Sequence, residues 1–259
     1  MKSSRRKFLK VAGISALGLA ASPALEALTH AAPEAHAAEY APKAEALQAK
    51  RWAMVIDTTK FESAEDFDKV IEACHSFHNV PTFGDKQEVK WIWTDTYHRT
   101  FPEQINNHMN EEVEERKYLL LCNHCTNPPC VRVCPTKATF QRPDGIVIMD
   151  MHRCIGCRFC MAACPFGARS FNFKNPRPGI AETNPTYPTR MRGVVEKCNF
   201  CAELLGKGEL PKCVQAAEGA ILFGDLDDPE SEVRQALAEH FSLRRKPNLG
   251  TEPGVYYII

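Results

Sequence analysis

Twelve cysteines stand among 259 residues, and eleven of them fall into three spaced groups. Cys122, Cys125, Cys130 and Cys134 run ahead of Pro135, and Cys154, Cys157, Cys160 and Cys164 run ahead of Pro165. The second set has the spacing of a bacterial two-cluster ferredoxin, in which three thiolates converge on one 4Fe-4S cubane and the fourth ligates the neighbouring cubane. The spacing therefore predicts cluster 1 on Cys122, Cys125, Cys130 and Cys164, and cluster 2 on Cys154, Cys157, Cys160 and Cys134. Structural zinc usually takes two separated ligand pairs rather than quartets ending in Cys-Pro. Disulfide scaffolds carry more than ~8% cysteine, whereas this chain carries about 5%. The chemistry such ligand sets support is one-electron transfer.

The third group, Cys198, Cys201 and Cys213, provides three ligands, with Ala217 where a fourth would follow and Cys74 far upstream. Through these groups, and through Ile56-Asp57-Thr58-Thr59-Lys60 and Cys74-His75-Ser76-Phe77-His78-Asn79-Val80-Pro81, residues 51–259 resemble the four-cluster iron–sulfur subunits of DMSO-reductase/NrfC-type oxidoreductases. That resemblance implies a first cysteine quartet between the two flanks. Here Phe61 occupies its first position, and no sulfur follows from Glu62 to Ala73. In the family the last cysteine of the first quartet serves the cluster of the fourth motif, and the last cysteine of the fourth motif serves the cluster missing here. The resemblance thus implies cluster 3 on Cys198, Cys201, Cys213 and Cys74, and Ala217 replaces a ligand with nothing left to bind. Three 4Fe-4S clusters account for all twelve thiolates. A histidine ligand at His75 or His78, or a free buried Cys74, is the lesser alternative.

The vacated stretch has its own pattern. Phe67, Val70, Ile71 and Cys74 recur at helical spacing after Ser63, with Asp66 placed to complete a capping box. An amphipathic helix is expected there, with Phe61 and Phe67 in the core. A β-hairpin is expected around Gln141 to Gly145, strands over 190–195 and 219–223, and a short helix over 158–163. A further helix is expected through Phe241, with Asp228 as N-cap and Pro229 at its first position.

The expected fold class is α+β: two intertwined ferredoxin-like modules with short strands, short helices and long cluster-binding loops. The two-cluster module spans 117–175, and an outer module with one cluster and the C-terminal tail spans 51–116 and 176–259. Residues 1–37 read as a twin-arginine signal peptide around Arg5 and Arg6, with an apolar stretch over 11–21 and a small-residue site at Ala35-His36-Ala37. A linker, 38–50, follows. Such a signal implies export of a folded, cluster-bearing protein to the periplasm. The apolar stretch is shorter than the ~20 residues a bilayer span needs, so membrane association is expected through partner subunits.

Charge and motif content exclude other classes. The whole chain is neutral, with 32 basic and 32 acidic residues. Without residues 1–37, which hold five basic and two acidic residues, 27 face 30, a net charge of −3. No basic stripe suits nucleic acid. No glycine-rich dinucleotide fingerprint or nucleophile–base arrangement marks a substrate site. His124 and His152 read as groups beside ligands, and Arg153 and Arg158 as cations balancing cluster charge. Within the family, the pattern is most similar to the periplasmic ferredoxin-like O subunit of Dsr-type transmembrane complexes of dissimilatory sulfur metabolism. That implies an NrfD-like polytopic, quinone-reactive membrane subunit, a periplasmic multihaem cytochrome c, and haem b and iron–sulfur subunits as partners. The alternative is the electron-transfer subunit of a periplasmic molybdopterin oxidoreductase of tetrathionate or polysulfide type, whose typical members keep four clusters.

Overall fold

A run of six buried residues, Trp52–Asp57, forms the central strand β1. Its alternate side chains enter two cores. Trp52, Met54 and Ile56 join the main one, while Ala53 and Val55 meet Val233 and Ala236 of a helix on the other face. A strand covered on both faces reads as continuous apolar sequence, as this one does. The computed structural model describes residues 43–259, so the predicted twin-arginine signal and the start of the linker, 38–42, lie outside the described residues.

In chain order, α1 (Ala64–Phe77), β2 (Ile92–Thr96), α2 (Tyr97–Thr100), α3 (Glu111–Glu115) and β3 (Lys117–Leu121) follow β1. Then come α4 (Pro129–Arg132), β4 (Thr139–Gln141), β5 (Val147–Met149), α5 (Phe159–Ala163), β6 (Ser170–Phe171) and β7 (Val195–Glu196). The chain closes with α6 (Ala202–Leu205), α7 (Lys212–Ala216), β8 (Ile221–Asp225), α8 (Glu232–Glu239), β9 (Ser242–Leu243) and β10 (Val255–Ile258). The largest sheet has the order β8-β1-β10-β9, with β1 parallel to β10 and antiparallel to β8. Three two-stranded ladders, β2-β3, β4-β5 and β6-β7, complete the mixed α+β architecture. The elements are short, and the loops between them carry most of the cysteines.

The vacated stretch folds as its pattern predicts. Ser63 Oγ accepts the Asp66 N–H, and Asp66 Oδ2 accepts the Ser63 N–H at 2.9 Å, closing the capping box at the start of α1. Phe61 and Phe67, both buried, stack with ring centroids 4.6 Å apart. Truncating a buried phenylalanine typically costs ~3–5 kcal/mol. Phe67→Ala should therefore lower unfolding free energy by about that amount in a denaturant titration, with iron content unchanged. A second change at Phe61 should add less than its own cost, because the rings touch.

Three expectations shift. The predicted strand over 190–195 contracts to β7, because Arg190 points its guanidinium back to the carbonyls of His78 and Asn79 and breaks the alternation. The helix expected from an Asp228 cap starts instead at Ser231, whose Oγ accepts the Arg234 N–H at 3.3 Å. Asp228 is used in a turn, accepting the Glu230 N–H at 3.0 Å, and α8 stops at Glu239 rather than Phe241. The strand expected over 219–223 runs over Ile221–Asp225, with Gly219 in a left-handed turn before it.

Candidate metal centres

Each cysteine group is curled by backbone that few residues tolerate. Between Cys154 and Cys157, Gly156 adopts φ +71°, and a Cβ there would lie 2.4 Å from the Gly193 carbonyl oxygen. Only glycine fits. Arg158 then takes φ 63° and opens α5, which carries Cys160. In the third group Phe200 and Cys201 are both left-handed, at 55° and 48°, which turns the loop into α6. In the first group His124 has φ 41°, and its loop is clamped by the C-terminal tail: Gly254 donates to the Asn123 carbonyl at 2.8 Å and Thr126 to Glu252 at 3.0 Å.

Thiols distant in the chain share surroundings in the fold. Cys125 is pushed up to about 12 by burial, then by its neighbours Cys122, Cys130 and Cys164. Cys134, Cys154, Cys157 and Cys160 line one cavity with Met149 and Val195. Cys74, in the last turns of α1 where that helix packs on α7, is raised well above an ordinary thiol by burial, then by Cys198, Cys213 and Cys201. Cys213 is pushed up to about 12, again by burial first. The sets also have an order. Cys198 feels Cys122, which places the third set beside the first. Cys130 and Cys160 pack in one buried cluster with Val147 and Met149, which places the first beside the second.

Backbone N–H groups already point at sulfur. Thr139 N–H is 3.4 Å from Cys134 Sγ, and Phe200 N–H is 3.5 Å from Cys198 Sγ. Burial raises the Cys134 thiol, but the Thr139 N–H and the Thr136 groups outweigh it and leave the thiol below its usual value. Twelve grouped thiols with donors turned toward them fit 4Fe-4S cubanes, whose ligands are thiolates.

The histidines near these sets do other work. His78 is buried, with Nδ1 2.8 Å from the Cys74 carbonyl oxygen and Nε2 2.9 Å from Glu203 Oε1, so both ring nitrogens face oxygen acceptors. It braces the third set, although its ring, Cys201 and Glu203 lie within 4.8 Å of one another. His75 is lowered to about 4, by burial first and by His78 next, and is neutral at pH 7. His124 is buried, stacks on Phe200 at 3.7 Å, and accepts the Val147 N–H at Nδ1. His152 is exposed.

Of the two arginines expected to balance cluster charge, Arg158 lines the cavity of the second set. Arg153 is exposed and paired with Asp150 at 3.3 Å, and Arg158 lies over the rings of Phe171 and Phe173. Among the described residues the buried arginines and lysines are Arg169, Lys197, Arg190 and Arg245. Sequence reading missed them. Arg169 and Lys197 follow Cys164 by five residues and precede Cys198 by one, and that adjacency was the available signal.

Residues 118–177 match the 4Fe-4S dicluster domain family. Over 98% of its length the chain is 41% identical to the Hdr-like menaquinol oxidoreductase iron-sulfur subunit 1 of Archaeoglobus fulgidus, covering 97% of that protein. It is 33% identical over its full length to the B subunit of tetrathionate reductase from Salmonella typhimurium, covering 89% of it. It is also 33% identical to the iron-sulfur cluster-binding subunit of menaquinone reductase from Nitratidesulfovibrio vulgaris, over 80% of this chain and 88% of that one. Among the described residues no helix is long and apolar enough to cross a membrane. Cysteine groups, curled loops and near full-length similarity agree, and the chain belongs to the 4Fe-4S dicluster iron–sulfur subunits of DMSO-reductase/NrfC-type oxidoreductase complexes.

Proposed function

We propose that this chain is a three-cluster electron wire in a quinone-linked, Dsr-type complex of sulfur metabolism, exported to the periplasm by its twin-arginine signal. The observation that carries the reading is the exchange at α1: a capped, phenylalanine-packed helix stands where a cysteine quartet would be, yet Cys74 at its end joins Cys198, Cys201 and Cys213. Two of the relatives are named for menaquinol or menaquinone chemistry, which supports a quinone-reactive partner of the NrfD type. The further partners would be a multihaem cytochrome c and haem b and iron–sulfur subunits. The two-cluster module, 117–175, sits inside an outer module formed by 51–116 and 176–259. Clusters bound to these sets supply one-electron exchange, and the protein's own residues order them as cluster 3, cluster 1, cluster 2.

The cluster 2 set reaches the surface. Cys134, Cys154 and Cys157 are only half-buried, whereas Cys74, Cys198, Cys201 and Cys213 are all buried. Ile155 and Phe159, within the ligand loop, are 67% and 59% exposed. Exposed Arg153 and Arg158 flank them in the loop, so the matching face of a redox partner subunit is apolar with an acidic rim. Ile155→Asp combined with Phe159→Asp should weaken capture of partner subunits at least tenfold while iron content stays at the wild-type level. Undiminished capture would place the electron exit elsewhere.

A gentle-detergent pull-down from native membranes through a C-terminal tag tests the assignment. Recovery of an NrfD-like protein with haem c and haem b chains and no molybdenum supports it. A co-purifying molybdopterin subunit supports the second reading, a reductase of the tetrathionate type, which the full-length similarity to the tetrathionate reductase protein favours.

A further inference from the structure

The buried cations divide into two kinds. Arg190 has a carboxylate partner, Glu196, at 2.6 Å, with both side chains buried. Arg169, Lys197 and Arg245 are equally buried, yet no carboxylate lies within ion-pair distance of them among the described residues. A buried charge persists only where another charge or a full set of hydrogen bonds compensates it. Arg169 donates from one terminal nitrogen to Thr139 Oγ1 at 3.1 Å and toward Met149 Sδ at 3.8 Å, while its other terminal nitrogen is buried with no hydrogen-bond partner. Met149 packs in one buried cluster with Cys130 of the first set and Cys160 of the second, so the guanidinium lies between the two sets. Lys197 is held by the Val147 carbonyl and by the Cys198 carbonyl at 2.6 Å, between Cys130 of the first set and Cys198 of the third.

We propose that Arg169 and Lys197 are positioning residues of the electron path, each a fixed cation shared by two adjacent clusters and raising the reduction potential of both. The order along the molecule is cluster 3, Lys197, cluster 1, Arg169, cluster 2. Reducing a cubane adds one electron and needs no proton. A fixed positive charge in a low-dielectric interior stabilises that added electron on whichever neighbour holds it. A shared cation therefore shifts two potentials in the same direction and keeps adjacent steps level, which a cation on one cluster alone would not do.

This rests on the three-cluster reading, and the experiment separates the two. Iron and sulfide analysis of the wild-type holoprotein tests the clusters themselves, and a count short of three cubanes overturns the reading first. Redox titration monitored by electron paramagnetic resonance then compares wild type with Arg169→Gln. The expected result is full iron content, with the reduction equilibria of clusters 1 and 2 both shifted tenfold or more toward the oxidised form, ~59 mV for a one-electron couple, and cluster 3 unmoved. Full iron with unchanged potentials overturns the inference and leaves the reading standing. Should Arg169→Gln fail to fill its clusters, Lys197→Gln provides the same test from the other side: clusters 3 and 1 should fall and cluster 2 hold, and an unchanged set overturns the proposal.

Discussion

Cys74→Ala should remove one cubane and only one, taking iron from about twelve to about eight atoms per chain and deleting the signal of the cluster held by Cys198, Cys201 and Cys213. The thiol sits at the end of α1, buried and chiefly under the influence of those three cysteines. His78 cannot easily substitute, because its two nitrogens are engaged by the Cys74 carbonyl and by Glu203. The middle pair draws none of its ligands from α1 and should titrate as in the wild type. Iron and acid-labile sulfide analysis, with spectra of the reduced protein, checks this. Full iron in the variant would make Cys74 a buried free thiol and return the third cluster to another donor.

Stripping the clusters with chelator and oxidant should abolish cooperative unfolding of the whole chain, a larger effect than any single core substitution. Without iron the buried thiols of Cys130 and Cys160, like those of Cys125, Cys213 and Cys74, keep their protons at neutral pH, since burial above all raises them. Neutral thiols leave Arg169 and Lys197 buried without a counter-charge. Removing one partner of a buried charge pair costs ~3–5 kcal/mol. Two such losses rival the whole stability of an ordinary domain, ~5–15 kcal/mol. Thermal unfolding followed by circular dichroism should show a sharp transition for the holoprotein and none for the stripped chain. A stripped chain that melts at the holoprotein temperature would mean that the cations find their compensation within the protein.

The sequence by itself determined the cysteine groups. Spacing within a loop is a local property, so two, two and three residues between Cys154, Cys157, Cys160 and Cys164 can be read without a fold. The capping box at Ser63 and the apolar stripe of α1 were legible for the same reason, because a helix writes its own period and its own start. Local reading failed where a distant partner competed. Arg190 leaves the strand expected there to reach the carbonyls of His78 and Asn79, 112 and 111 residues away in the chain, and Ser231 outcompetes Asp228 as the cap of α8. Tertiary structure alone decided which cations go inside. Arg153 and Arg158 stand next to cysteines in sequence and end on the surface, while Arg169 and Lys197 are folded between the cysteine sets. Sequence can record that a basic residue lies near a cysteine. Whether it is left in water or shared between two thiol sets depends on how loops far apart in the chain close over it, and desolvation is a property of that closure.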